Sequence, residues 1–232
     1  HVSLIITPKL HMIPWGVHIS STVLESKTAK VHIEAKIFNA GMSSVNGTAK
    51  FLIKAPSGCV VACEKTQFSV ESNSHTVVNL DILIENAILW DIDSPNLYTL
   101  QAILVKDEKE IDSTEEKFGI RYFKFDGDTG FWLNGRNLKL KGVNLHHDCG
   151  CVGAAVPSPA MWERRLKTLK ELGCNAIRAS HNPPAPELLN LCDKLGFLVI
   201  DEAFDKWHWK SGYYYKFFEE WWKQDIDSMM DR

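Results

Sequence analysis

Residues 173–203, GCNAIRASHNPPAPELLNLCDKLGFLVIDEA, contain two strand patterns separated by one helix pattern. The apolar runs CNAIRA and FLVIDEA have the length of buried strands, and the residues between them repeat apolar side chains at helical spacing, namely Leu188, Leu191, Cys192 and Leu195. Gly196 stands where the helix pattern stops, which is typical of a helix C-terminus. Two strands joined through a helix run parallel in a covered sheet, so this stretch predicts a βαβ unit.

The preceding residues follow the same plan. SPAMWERRLKTLKELG (158–173) opens with Ser158 as a predicted N-cap and Pro159 at the first helical position. Its apolar side chains recur at intervals of four, three and three residues, which predicts an amphipathic helix with the stripe Trp162, Leu166, Leu169 and Leu172. With LKLKGVNLH (138–146) as the first strand, the chain predicts β-α-β-α-β, followed by a helix that begins in FFEEWWKQDIDSMM (217–230).

Residues 1 to about 125 show a period of two instead. In KVHIEAKIF (30–38), apolar and polar residues alternate, which indicates a strand with one solvent-facing side. Similar runs separated by turn residues predict an antiparallel β-sandwich, and they are TAKFLIKA (48–55), VVNLDILIE (77–85) and LYTLQAILV (97–105). Asn134-Gly135 between apolar flanks predicts a β-hairpin.

Composition narrows the functional classes. The 232 residues carry a net charge of -3, which gives no electrostatic basis for binding nucleic acid or an anionic membrane. No apolar run reaches the roughly 18–20 residues of a membrane span. The six cysteines match no disulfide scaffold, and Cys174 and Cys192 lie in apolar stretches that favour buried free thiols. The compartment, whether cytoplasmic, periplasmic or secreted, stays open.

Polar side chains follow each predicted parallel strand, where sites in such sheets form. Asn144, His146 and His147 follow the first strand, Arg178, Ser180, His181 and Asn182 the second, and Asp201 and Glu202 the third. Arg178 and His181 suit an oxygen-rich ligand, since one offers a fork of donors and the other a donor or acceptor. The alternative is a structural pair, in which Arg178 satisfies a barrel carboxylate and His181 caps the following helix.

Two further patterns have competing interpretations. HHDCGC (146–151) holds metal-ligating residue types, but adjacent strand residues point to opposite faces, so His146 and His147 would rarely bind one ion. The same alternation separates Asp201 from Glu202, and ion pairing at the rim of the barrel is predicted for at least one of them.

The aromatic run between residues 207 and 222 suits sugar rings, which pack on aromatic faces. Helical spacing assigns part of it to a core, namely Phe218, Trp221, Trp222, Ile226, Met229 and Met230. The remaining candidates for a pocket wall are Trp207, Trp209, Tyr213, Tyr214 and Tyr215.

Four segments resemble glycoside hydrolase family 2, which comprises β-galactosidases, β-glucuronidases and β-mannosidases. They are WDIDSPNLYTL (90–100), FGIRYFKFD (118–126), GFWLNGRNLKLKGVNLHHD (130–148) and GCNAIRASHNPPAPELLNLCDKLGFLVIDEAFD (173–205). The segments HHD (146–148) and DEAFDKW (201–207) resemble the bacterial β-galactosidase-like branch. The resemblance implies an immunoglobulin-like β-sandwich over residues 1–125, followed over residues 126–232 by about three βα units of a (β/α)8 TIM barrel. It also implies retaining hydrolysis of O-glycosidic bonds in β-galactoside-type substrates.

The resemblance also implies site residues. His146, Arg178, His181 and Asn182 match substrate-contacting positions of the family, and Trp207 from the aromatic run joins them as a predicted substrate contact. His208 matches a histidine that binds Mg²⁺ in some members, but Lys206 stands where those members carry a glutamate. No metal or other cofactor is therefore predicted.

The family's catalytic glutamates lie on barrel strands four and seven, the first directly after an asparagine. This chain contains no Asn-Glu dipeptide, and the residues after 138 are far fewer than the roughly 250 of a full barrel. We therefore expect an interior fragment that lacks both catalytic glutamates and is inactive alone. Its expected partners are a β-linked carbohydrate, the remainder of the barrel and the family's N-terminal sugar-binding domain, and a homo-oligomer stays open.

Three alternatives remain at this point. The chain is a carbohydrate-binding or scaffold module without chemistry, or the parent enzyme has β-glucuronidase or β-mannosidase specificity, or HHD serves a metal-dependent hydrolase.

Overall fold

The computed structural model describes residues 4–24, 27–150, 155–156, 158–206 and 215–231. The chain divides into two structural units. The first contains His1–Asp91, Asn96–Lys124 and Leu133–Arg136, and the second contains Ile92–Pro95, Phe125–Trp132 and Asn137–Arg232. No helix among the described residues is both long enough and apolar enough to cross a bilayer.

The first unit is an antiparallel β-sandwich. Its strands are β1 (Leu10–Val23), β2 (Ala29–Asn39), β3 (Val45–Lys54), β4 (Val60–Val70), β5 (Ser74–Ile84), β6 (Tyr98–Lys106) and β7 (Lys109–Phe118). They form sheets of order β1-β2-β5 and β4-β3-β6-β7. The apolar residues that alternate along β2 are fully buried and pack with β3 and β6 residues in one core, for example Ile33, Phe51 and Leu100. The predicted sandwich is confirmed.

The sequence pattern singles out β2, β3, β5 and β6 but not β1, β4 or β7. Each of these three lies at the edge of a sheet. Edge strands carry more polar residues, which discourages pairing with other chains, and KEIDSTEEKF of β7 shows this composition. In β1 the alternation is broken by a register shift between Met12 and Val17, where Trp15 has a φ of 63°.

A small sheet of order β10-β9-β8 follows in the chain. Its strands are β8 (Phe123–Asp126), β9 (Gly130–Leu133) and β10 (Arg136–Asn137). Asn134 and Gly135 connect β9 to β10 with φ values of 50° and 79°. Two consecutive positive φ values define the type I′ turn that Asn-Gly favours, so the predicted hairpin is confirmed.

The second unit contains the predicted alternation of strands and helices. Its elements are β11 (Gly142–His146), α1 (Pro159–Glu171), β12 (Ala176–Ser180), α2 (Pro186–Leu195), β13 (Leu198–Ile200) and α3 (Tyr215–Met230). The strands pair in parallel in the order β11-β12-β13. Helices α1 and α2 cover this sheet through one apolar cluster that includes Trp162, Leu166, Leu188 and Phe197. The parallel arrangement is confirmed.

Asn175 fixes the relation of the three parallel strands. Its side chain is buried, its Oδ1 accepts from the Lys141 amide at 2.8 Å, and its Nδ2 donates to the Lys139 carbonyl at 3.0 Å. Its backbone carbonyl accepts from the Leu198 amide at 2.9 Å. Because both ends of the side chain are satisfied by one neighbouring segment, a shift of β11 along β12 would leave buried polar groups without partners.

The ends of helix α1 follow the predicted capping. Ser158 Oγ accepts from the Ala160 amide at 3.2 Å, and Pro159 is the first helical residue. At the other end Gly173 has a φ of 84°, and the Cys174 amide donates to the Leu169 carbonyl, as in a Schellman motif. Placing Leu172 in the buried stripe was wrong, since it is 75% exposed. At 3.6 residues per turn, Leu172 lies about 80° around the helix from Trp162.

Helix α2 ends at Gly196, whose φ is 76°. On its apolar face Leu188 and Cys192 are buried. Cys192 is a buried free thiol, as predicted. Cys174 is also a free thiol, but it is half-buried. Burial, with a smaller contribution from the charge of Asp193, raises the pKa of the Cys192 thiol to about 12.

We expect Gly196→Ala to destabilise the second unit much more than Gly173→Ala. Both glycines adopt left-handed backbone, which costs an alanine about 1–2 kcal/mol. A Cβ at Gly196 would also lie 2.2 Å from the Ile92 carbonyl oxygen, whereas a Cβ at Gly173 meets nothing within 4 Å. The backbone must shift to avoid that overlap. This should lower the free energy of unfolding of Gly196→Ala by about a further 1–3 kcal/mol, as measured by urea denaturation. Equal losses in the two variants would contradict the close packing of Ile92 on Gly196.

Candidate functional site

Two predicted site residues meet where β11 and β12 end. The parallel register pairs His146 with Ser180, so His181 follows directly at the same edge of the sheet. The rings of His146 and His181 lie 5.3 Å apart between centroids, in a T-shaped arrangement. The peptide bond between Ser180 and His181 is cis.

Glu202 connects Arg178 to His181. Its Oε1 accepts a hydrogen bond from Arg178 Nη2 at 2.8 Å, and its Oε2 lies 3.0 Å from His181 Nδ1. The carboxylate is 21% exposed, against 42% for the Arg178 side chain and 36% for His181. We call this arrangement of Arg178, Glu202 and His181 the Glu202 bridge.

The Glu202 bridge bears on the structural alternative stated for Arg178 and His181. The ion pair predicted for one of Asp201 and Glu202 is present at Glu202. Arg178 does satisfy a carboxylate of the parallel sheet, as the structural alternative expected. The suggestion that His181 caps the next helix is wrong, because the N-cap of α2 is Ala185 and its cap involves no side-chain hydrogen bond.

Sequence reasoning did not include Glu202 among the site residues, although a signal for it exists. Arg178 pairs with Ile200 across the parallel strands. Side chains two residues apart in an extended chain share a face, so Glu202 comes to the side of the sheet on which Arg178 lies. That signal requires the register, which a single sequence does not supply.

A cavity of about 520 Å³ opens beside the Glu202 bridge. Three predicted substrate contacts line it, together with residues after β13 and on α3. The lining residues are His146, His181, Asn182, Ala203, Phe204, Asp205, Lys206, Phe217, Phe218, Trp221 and Asp225. Arg178, a fourth predicted contact, is not among these residues and hydrogen-bonds to Glu202 beside the cavity.

The aromatic wall of this cavity comes from α3. Phe217 is 53% and Trp221 42% exposed, and Phe218 packs edge-on against Phe204 at 5.2 Å between centroids. Assigning the apolar side chains of α3 to a core was therefore wrong for Trp221, Trp222 and Met230, which are exposed, while Phe218, Ile226 and Met229 are half-buried. Of these six, Phe218 and Trp221 line the cavity, and helical spacing looks the same toward a cavity as toward a core.

Several predicted residues lie outside the described part of the chain. They are Trp207, the fifth predicted substrate contact, His208, the family's metal position, and the pocket-wall candidates Trp209, Tyr213 and Tyr214. Tyr215 begins α3.

His146 and His147 face different surroundings. Whereas His146 contacts His181, the His147 ring packs edge-on against Trp162 of α1, with 5.1 Å between centroids. Among the described residues, no three His, Cys, Asp or Glu side chains converge as a metal site would require. The geometry therefore gives HHDCGC no shared ligand set within the described part.

The charged groups of the cavity are largely compensated. Lys206 Nζ lies 3.7 Å from Asp205 Oδ2, and Asp225 adds a second carboxylate to the wall. The charge of Arg178 is paired with Glu202 outside the lining. Carboxylates, the Asn182 amide and imidazole nitrogens all exchange hydrogen bonds with hydroxyl groups, and aromatic faces pack on the C–H faces of sugar rings.

The fold and this cavity together define a class, a β-sandwich followed by the first strands of a TIM barrel with a polar and aromatic site at their carboxyl ends. Residues 13–121 match the model for glycosyl hydrolases family 2, and residues 127–212 match the model for the TIM barrel domain of that family. The chain belongs to glycoside hydrolase family 2.

Individual relatives agree with this assignment. The chain is 40% identical over 228 residues to the β-galactosidase BoGH2A of Bacteroides ovatus, covering 97% of this chain and 27% of that protein. It is 33% identical over 189 residues to a β-glucuronidase of Bacteroides fragilis, covering 81% of this chain and 27% of the relative. A solved family 2 structure from Bacteroides cellulosilyticus superimposes with a TM-score of 0.91 at 36% identity, covering 97% of this chain and 29% of that one. The chain thus spans about a quarter of the length of these relatives.

We expect metal chelation to leave the thermal unfolding of the chain unchanged, because His146 and His147 cannot share an ion while His147 packs on Trp162. The measurement is the unfolding midpoint with and without EDTA, together with zinc content by elemental analysis. Equimolar zinc, or a midpoint that falls by several degrees with EDTA and recovers with added zinc, would contradict this arrangement.

Proposed function

We propose that this chain carries the substrate-binding part of a retaining β-glycosidase that acts on β-galactoside-type substrates. The proposal rests on one observation above all. His146, His181 and Asn182 line the same cavity as Phe217 and Trp221, at the carboxyl ends of parallel strands. Family membership supports hydrolysis of β-glycosides, and the names of the relatives divide between β-galactosidases and β-glucuronidases.

In this proposal the residues have different roles. His146, His181 and Asn182 exchange hydrogen bonds with sugar hydroxyl groups, and Trp221 stacks on the sugar ring. Arg178 acts through Glu202, and Trp207 is a further substrate contact. Residues 1–125 form the sandwich domain that precedes the barrel, and residues 126–232 form the first part of the barrel that holds these side chains.

The charges of the cavity support a neutral sugar over a uronic acid. A glucuronide carries a carboxylate, which requires a cation with charge to spare. Among the described lining residues the one ammonium, on Lys206, lies beside Asp205, and Asp225 is a second anion. The described part of the wall is thus net negative, which disfavours an anionic substrate, since like charges repel most where water is scarce.

Retention of configuration needs two carboxyl groups about 5–5.5 Å apart, one to attack the anomeric carbon and one to transfer the proton. Glu202 is held by both Arg178 and His181, an arrangement that suits orientation more than attack. We therefore assign both catalytic glutamates to barrel strands other than β11, β12 and β13. The 232-residue chain by itself then binds substrate without cleaving it.

The full-length protein should hydrolyse aryl β-galactosides with retention, and the 232-residue chain should show no turnover above background. Because of the cavity charges, kcat/KM for p-nitrophenyl β-galactoside should exceed that for the glucuronide at least about tenfold, a difference of roughly 1.4 kcal/mol. Proton NMR of the first-formed anomer reports the stereochemistry. Steady turnover by the 232-residue chain that is lost in Glu202→Gln, Asp205→Asn or Asp225→Asn would contradict the proposal, as would a preference for the glucuronide.

A second candidate function is carbohydrate binding without catalysis. The exposed aromatic wall of the cavity favours it, because such walls bind sugars in the absence of chemistry. A full-length protein that binds galactosides but never turns them over would support this candidate instead.

Trp221→Ala should weaken binding of galactose several-fold more than Trp222→Ala. The two side chains are adjacent on α3 and similarly exposed, at 42% and 40%, but of the two Trp221 lines the cavity. Loss of one aromatic stacking contact of about 0.5–1.5 kcal/mol corresponds to a roughly 2- to 12-fold rise in Kd. Inhibition of hydrolysis by galactose gives the constants. Equal effects of the two substitutions would contradict an α3 wall on the sugar side.

A further inference from the structure

We propose that Glu202 is a positioning residue, which holds a proton on Nδ1 of His181 and thereby presents Nε2 of that ring to the cavity as a hydrogen-bond acceptor for a sugar hydroxyl. This inference rests on the proposed glycosidase function. It assigns no catalytic step to Glu202 itself.

The first support is the direction of the hydrogen bonds. An ionised carboxylate can only accept, so at 3.0 Å the proton between Glu202 Oε2 and His181 Nδ1 belongs to the histidine. In a neutral imidazole one nitrogen is then the donor and the other the acceptor. Nε2 is on the far side of the ring from Nδ1, and His181 lines the cavity.

The second support is that Nε2 of His181 has no partner among the described residues. His181 hydrogen-bonds to Glu202 through Nδ1, and within the described part of the chain Nε2 has no hydrogen-bond partner. The neighbouring His146 makes a ring contact with His181 but no hydrogen bond to a described residue. Two imidazole rings on a cavity wall therefore offer nitrogen atoms to a ligand.

The third support is the role of Arg178. Its guanidinium binds Oε1 of Glu202 at 2.8 Å, and the carboxylate uses its other oxygen for His181. Because Arg178 and His181 hold the two oxygens, the Glu202 carboxylate has little rotational freedom. The hydrogen bond to Nδ1 then also fixes the plane of the His181 ring. Partly exposed ion pairs contribute little to stability, so a structural role alone gives this arrangement no large benefit.

Removing the carboxylate that orients a metal-bound histidine typically costs roughly 10- to 100-fold in metal affinity or activity, and we apply the same range to His181. Glu202→Ala should lower kcat/KM for an aryl β-galactoside by that factor. Glu202→Asp, which keeps a carboxylate that can accept from both Arg178 and Nδ1–H, should recover part of this loss, at least about a third of it on a logarithmic scale of kcat/KM. As a matched control, Glu163→Gln removes the exposed ion pair with Lys167 on α1 and should leave activity unchanged.

The decisive readout is the protonation state of His181 in full-length protein labelled with ¹⁵N-histidine, with the resonance identified by its loss in His181→Gln. The proton should lie on Nδ1 in the wild type and in Glu202→Asp, and move to Nε2 in Glu202→Ala. The melting temperature of Glu202→Ala should change no more than that of Glu163→Gln.

A wild-type proton on Nε2, or a tautomer unchanged in Glu202→Ala, would overturn the inference. So would equal inactivity of the Ala and Asp variants with rescue of Glu202→Ala by azide, the behaviour of a nucleophile. If the protein cleaves no glycoside at all, the proposed function fails, while the ¹⁵N spectrum still reports whether Glu202 sets the tautomer.

Discussion

The parallel register of β11 on β12 is the constraint on which the site depends. It sets His146 opposite Ser180 and Arg178 opposite Ile200, and from these pairings follow the meeting of the two histidines and the approach of Glu202 to Arg178. The side chain of Asn175 stabilises this register by bonding two backbone groups that precede β11. A slip of one residue would turn every side chain of β11 to the other face of the sheet.

Given that register, the chemistry of the cavity follows from how its charges are arranged. Arg178 is paired with Glu202, so its charge is compensated, and in our proposal it supports the His181 imidazole through that carboxylate. What remains on the wall is a set of hydroxyl-binding groups and aromatic faces. Under the proposed function, such a surface would distinguish sugars by the orientation of their hydroxyl groups and the shape of their faces, and its net charge would act mainly to exclude acids.

The sequence predicts those parts of the molecule that short-range rules decide. The caps at Ser158 and Gly173, the turn at Asn134-Gly135 and the alternation along β2 depend on neighbours a few residues away, and the structure contains each of them. The edge strand β7 lacks the apolar signal because most of its residues are polar or charged, whereas β5, also at an edge, keeps the signal. The exposed Trp221 and the bond from Arg178 to Glu202 depend on partners distant in the chain, and the helical period of α3 is the same whether it faces a core or a cavity.

The segment Ile92–Pro95 belongs to the second unit although it lies between two strands of the first unit in the chain. Lys170 is one reason. Its ammonium donates to the Ile92 carbonyl at 2.7 Å and to the Gly196 carbonyl at 2.8 Å, and it sits 5.1 Å from the centre of the Phe197 ring. One cation thus interacts favourably with the carbonyl end of α2 and binds the Ile92 carbonyl beside it. Gly196 must lack a side chain because Ile92 occupies that space. Local helix chemistry alone would permit other residues at Gly196, so the need for glycine there comes from a segment more than a hundred residues earlier in the chain.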